Sequence, residues 1–152
     1  MLSEIYGQRS VPSCIDEWAR KEPCRPWVSA PVDNHDLSKG YQDINYGQFA
    51  NAVNHATHWL YDNLPAASNP FQRFAYVGPK DLRYPLLAVA AGKLEKVVFI
   101  RPQSMASVTD EIIRRQPNVQ IVTAPDLNDL LQASLAKPFL YQKSYSDAQD
   151  DP

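Results

Sequence analysis

"FAYVGPKDLRYPLLAVAAGKLEKVVFI", residues 74–100, decides the fold. It opens on a short apolar run (74–78), turns at Gly78 and Pro79, carries a helical stretch, and closes on a second apolar run (96–100). Short continuous apolar runs bounded by turn residues fit strands covered on both faces. A helix between two such strands carries the chain back over the sheet, which makes a right-handed βαβ unit. A third run, "VQIV" at 119–122, continues the series, with "SVTDEIIRRQ" before it and "DLNDLLQASLAK" after it as further helical stretches. This alternation predicts the α/β class: a partial parallel sheet with flanking helices.

Upstream, the longest helix is expected over 48–64, where Phe49, Val53, Ala56, Leu60 and Leu64 form one apolar stripe. The polar stretch 33–43 reads as a surface loop with Gly40 as its turn residue, and "PWVSAPV" (26–32) as a short strand. "VPSCIDEWARKEP" reads as a helix capped by Ser13, with Ile15, Trp18 and Ala19 on its apolar face and Pro23 at its end. The connection 64–72 is too short to separate domains. The expected division is therefore a leader (1–10), one domain (11–137) and an extended or disordered tail (138–152) that lacks a helical stripe and ends acidic.

A chain of 152 residues suits a single core. Hydrophobic content is 44%, with no run near the ~20 apolar residues that a membrane-spanning helix needs. A formal net charge of −2 gives no general attraction for nucleic acid or for a membrane surface. "MLSEIYGQRS" has no basic segment followed by an apolar one, so a cytoplasmic location is expected. Cys14 and Cys24 form no CxxC pair and read as two free thiols.

The glycine and lysine of "YVGPKD" invite comparison with a phosphate cradle, which needs consecutive N–H groups at a helix start. Only Gly78 is available; Pro79 has no N–H, and neither GxGxxG nor GxxxxGK[ST] occurs. Lys80 is offset by Asp81, which suits the N-cap of the following helix, so a strand-to-helix turn is expected. His55 and His58 are three apart on the long helix and His35 lies on a loop; they read as exposed or half-buried side chains, not as a metal site. No serine sits in a GxSxG elbow, and neither cysteine has a histidine nearby in sequence. No catalytic, cofactor-binding or metal-binding residue is assigned. A ligand, if the sheet binds one, is expected at the carboxyl ends of the strands, near Gly78, Arg101 and Pro125.

The order "VPSCIDEWARKEPCRPWVSAP" (11–31), "YQDINYGQFANAVNHATHWL" (41–60) and "FAYVGPKDLRYPLLAVAAGKLEKVVFIRPQS" (74–104) resembles the opening of an adenylate-forming domain. It is similar in particular to fungal nonribosomal-peptide-synthetase-like enzymes, including adenylate-forming reductases, over 10–102 and more faintly over 117–152. The resemblance implies that 11–137 is a partial AMP-binding (adenylation) domain, an incomplete N-terminal subdomain of that fold, from an enzyme of secondary metabolism. Such enzymes use ATP and magnesium to activate a carboxylic acid as its acyl-adenylate and pass the acyl group to a carrier thiol; the reductase branch releases an aldehyde.

The family's nucleotide chemistry rests on four parts: a Ser/Thr/Gly-rich loop with lysine, an aromatic-Gly-x-Thr-Glu segment, an aspartate on the ribose and a late lysine. None has a counterpart in this sequence, so no ATP or magnesium ligand is carried over. A family segment is missing near Ser107, and "YQKSYSDAQDDP" (141–152) resembles the lead-in to the phosphate loop. The expectation is a fragment truncated before that loop, inactive alone, with the remainder of an adenylation domain or another protein at an exposed sheet edge. The alternatives are a binding module that complements a separate chain and a small stand-alone α/β ligand-binding protein.

Overall fold

The computed structural model describes residues 7–65, 71–102, 106–115 and 120–149. Its organising unit is the predicted one: β3 (Arg73–Gly78), α3 (Arg83–Lys93) and β4 (Val97–Pro102), after α1 (Val11–Lys21), β1 (Pro26–Pro31), β2 (Tyr41–Asn45) and α2 (Tyr46–Asn63). Strands β3 and β4 pair in parallel, from Arg73 opposite Val97 to Gly78 opposite Pro102. Helix α3 starts beside Asp81, whose carboxylate accepts the Arg83 N–H at 2.9 Å. The capping position itself is Leu82, one residue later than the expected Asp81, and it makes no side-chain cap. At the other end Glu95 adopts φ 52°, and the Lys96 N–H returns to the Ala91 carbonyl at 2.9 Å, a Schellman-type stop.

Helix α2 forms where expected and begins with a capping box: Asn45 accepts from the Gln48 N–H at 2.8 Å, and Gln48 accepts from the Asn45 N–H at 3.0 Å. The stripe of Phe49, Val53, Ala56 and Leu60 is fully buried. Against it pack Leu86, Leu87 and Ala90 of α3, Ile15 of α1 and Ile44 of β2. Trp27 of β1 stacks on Phe49 with ring centroids 3.6 Å apart.

Four further expectations give way. Helix α1 is capped by Ser10, not Ser13: the Ser13 N–H donates to the Ser10 hydroxyl. Residues 41–43 are not loop but part of β2, antiparallel to β1. The strand was hidden because only Ile44 of "YQDIN" is buried, so no apolar alternation marks it; Gly40, at φ 80°, is the turn residue as read. The third run makes no strand among the described residues 120–122, and the parallel sheet there has two strands, β3 and β4. Ile121 is 59% exposed and the Gln120 amide reaches the Asn63 carbonyl at the end of α2, so this segment stands apart from β3 with no backbone ladder to order it. Finally, the helix expected over "DLNDLLQASLAK" stops early, as α5 (Leu127–Gln132) after α4 (Ala106–Arg115). Ala133 is already extended (φ −60°, ψ 149°), and Pro138 has no N–H with which to continue a helix. Residues 138–144 carry no helix or strand, and α6 (Tyr145–Ala148) is a single turn capped by Ser144.

Candidate functional site

A cleft of about 600 Å³ runs along the whole of β3, between that strand, the carboxyl end of α2 and residues 120–124. Trp59, Leu60, Phe74, Leu87 and Val122 make it largely apolar. Among the described residues, its walls carry Arg73 and Arg83 but no acidic side chain and no histidine. That lining suits binding of an apolar surface and supplies no general base.

Gly78 closes one end. A β-carbon there would overlap the Tyr76 ring end, so the glycine serves close packing. Tyr76 is 7% exposed, and its hydroxyl has no hydrogen-bond partner among the described residues; burial pushes this phenol above its ordinary pKa. Tyr84 meets it edge-on, with centroids 5.3 Å apart, and donates its hydroxyl to the Gly78 carbonyl at 3.0 Å. The Arg83 guanidinium forks onto both Asp81 oxygens at 2.7–3.1 Å, which raises the arginine pKa further and occupies the charge. Lys80 is exposed beyond the turn. The turn is thus a packed junction in which Asp81 is paired with Arg83 and, contrary to expectation, does not offset Lys80.

The ladder and the cleft bring Gly78, Arg101 and Pro125 toward one end of β3, while among the described residues no histidine or cysteine lines that cleft. Arg101 lies opposite Val77 in the strand ladder, and Pro125 follows the cleft-lining Ala124. The His35 backbone N–H bonds Asp33 in its loop, while His55 Nε2 and His58 Nε2 meet the carbonyls of Ser134 (2.7 Å) and Lys137 (3.0 Å). Among the described residues no three His, Cys, Asp or Glu side chains gather to hold a metal ion. Cys14 is half-buried and Cys24 exposed, both as free thiols.

One cluster escaped the sequence reading. The Lys93 side chain is fully buried, and its ammonium donates to Asp16 (2.7 and 2.9 Å), to Asn54 Oδ1 (3.2 Å) and to the Phe139 carbonyl (2.8 Å). It thereby joins α1, α2, α3 and the chain after α5. The available signal was a lysine inside the apolar run "AVAAGKL" together with asparagines on an otherwise buried helix.

No protein-family profile matches the chain. It is 27% identical, over 97% of its length, to the isocyanide synthase–NRPS hybrid crmA of Aspergillus fumigatus. It is 29% identical over the same share to a carboxylic acid reductase of Neurospora crassa. The chain spans 11% and 16% of these two relatives. Among solved structures, the N-terminal subdomain of NpsA from Klebsiella oxytoca shares its fold: TM-score 0.51 at 15% identity, covering 94% of this chain and 33% of that one. The chain is thus similar in sequence to a part of these NRPS-like and carboxylic acid reductase enzymes, and in fold to the NpsA N-terminal subdomain. Within the chain the quoted stretch "VPSCIDEWARK" is α1, "YGQFANAVNHATHWL" lies in α2, and "YVGPKD" is the end of β3 and its turn into α3. The expected α/β architecture is present, as small sheets with flanking helices.

Proposed function

We propose that this segment is the N-terminal scaffold of a carboxylic-acid-activating unit of secondary metabolism, cytoplasmic, and without adenylating activity of its own. The observation that carries the reading is that a match over 97% of the chain falls on only 11% and 16% of its relatives. Adenylate formation depends on positioning and charge stabilisation around a triphosphate. ATP and magnesium do not fit the residues present. Pro79 offers no N–H, Tyr84 occupies the Gly78 carbonyl, Asp81 neutralises Arg83, and no acidic side chain lines the cleft among the described residues. In an ATP–pyrophosphate exchange assay over a panel of carboxylic acids, the chain is expected to give background only; robust acid-dependent exchange would overturn the reading.

A second reading rests on the cleft. Among the described residues β3 pairs only with β4, and its length is open to that groove, which suits docking of a separate chain carrying the rest of the adenylation unit. Co-expression with such a chain is then expected to restore acid-dependent exchange that neither chain gives alone.

A further inference from the structure

Helix α2 buries its apolar stripe but presents Asn51, Asn54, His55 and His58 on another side, at the i, i+3, i+4, i+7 spacing of one helical face. With Lys93, this face holds residues 133–139 as an extended strap, and every hydrogen bond goes to the strap's main chain. Asn51 donates to the Ala133 and Ser134 carbonyls (3.2 Å each) and accepts the Ala136 N–H (2.8 Å). His55 and His58 meet the Ser134 and Lys137 carbonyls; Asn54 accepts the Phe139 N–H (3.1 Å), and Lys93 donates to the Phe139 carbonyl. The strap's own side chains add little: Leu135 is 91% exposed, and Ser134, Lys137 and Pro138 point outward as well. Phe139 alone makes a ring contact, edge-on to His58 at 5.5 Å.

We propose that this face of α2 is a docking surface for an extended main chain, and that a second copy of the protein supplies the occupant by exchanging its own 133–139 segment. A surface that reads main-chain groups is satisfied equally by the cis strap and by the same strap from another copy. Low apolar burial places the strap among the first parts of the molecule to open. Ala133 already leaves α5 in an extended conformation and can serve as the hinge, with the chain beyond the strap, including the Lys143–Glu95 pair, exchanged along with it. The inference concerns self-association and stands apart from the adenylation reading.

The test uses two full-length variants. Ala136→Pro with Phe139→Pro removes both N–H groups that the strap gives to α2, leaving the docking face intact. Asn51→Ala with His55→Ala disables the face and leaves the strap intact. Neither variant can complete the contact within one molecule. By sedimentation each is expected to be monomeric alone, and an equimolar mixture is expected to double in mass; a mixture that stays monomeric overturns the proposal. Should the α2 variant fail to fold by circular dichroism, a synthetic peptide of residues 132–141 titrated into the strap variant decides instead. Saturable binding, lost when the peptide carries proline at 136 and 139, supports the proposal, and no binding overturns it.

Discussion

At Gly78 the backbone comes so close to the Tyr76 ring that a methyl group has no room. Gly78→Ala is expected to cost about 1–3 kcal/mol in urea denaturation, as overpacking does, and most of that loss should vanish in a Tyr76→Leu background, where the ring end is gone. The Tyr76 hydroxyl is buried without a partner among the described residues, a state that costs about 1–3 kcal/mol relative to an apolar isostere. Tyr76→Phe is therefore expected to stabilise the fold and raise Tm by roughly 2–4 °C per kcal/mol gained. The same substitution has a pH signature. Burial raises the folded-state pKa of Tyr76 above the ordinary value of 10.0, so above that pH the folded chain holds a proton that the unfolded chain releases. Tyr76 ionisation leaves stability unaffected below about pH 10 and lowers it as pH rises above that value; Tyr76→Phe should remove that share of the alkaline decline in denaturation measured on both sides of pH 10.

Among the elements, α3 carries two testable features. Its stop places Glu95 at φ 52°, a conformation that glycine adopts without strain, so Glu95→Gly is expected to gain up to about 1 kcal/mol despite losing the half-exposed Lys143 contact. Lys93 inside the same helix is the opposite case: Lys93→Met leaves the Asp16 carboxylate and the Phe139 carbonyl without their donor and should cost about 3 kcal/mol, with partial recovery when Asp16→Leu is added. What was legible in the sequence follows from what shapes each element. Helix α2 and the β3–α3–β4 unit are made by burial of apolar side chains, and burial leaves a periodic trace. Strand β2 is made by main-chain pairing to β1 with only Ile44 inside, so its polar sequence read as loop. "VQIV" has the trace of a strand and lacks, among the described residues, a neighbour close enough to pair, which no local pattern reveals. The strap was the least legible, because its contacts are made through its backbone by residues about eighty positions earlier.

For the whole molecule, α2 is the shared wall: α1, α3, α5 and both strands of the hairpin pack on it. Unfolding should accordingly be one cooperative transition, while the strap opens below it. In hydrogen–deuterium exchange, amides of Phe49–Leu60 are expected to exchange only through global unfolding, and those of Ala136 and Phe139 earlier by a sub-global route. The likeness to the NRPS-like and reductase relatives was legible in the order of α1, α2 and the β3–α3 turn; an active centre was not, because the four motifs of the resembled family do not occur in these 152 residues.

The central place of α2 also sets a difficulty during synthesis. Its stripe of Phe49, Val53 and Leu60 is translated before the helix that covers it, since α2 ends at Asn63 and α3 only at Lys93. At translation rates of about 5–20 residues per second, that stripe waits some ~2–6 s for its cover. The nascent segment therefore offers a chaperone an apolar helix face for as long as β3 and α3 are still being made.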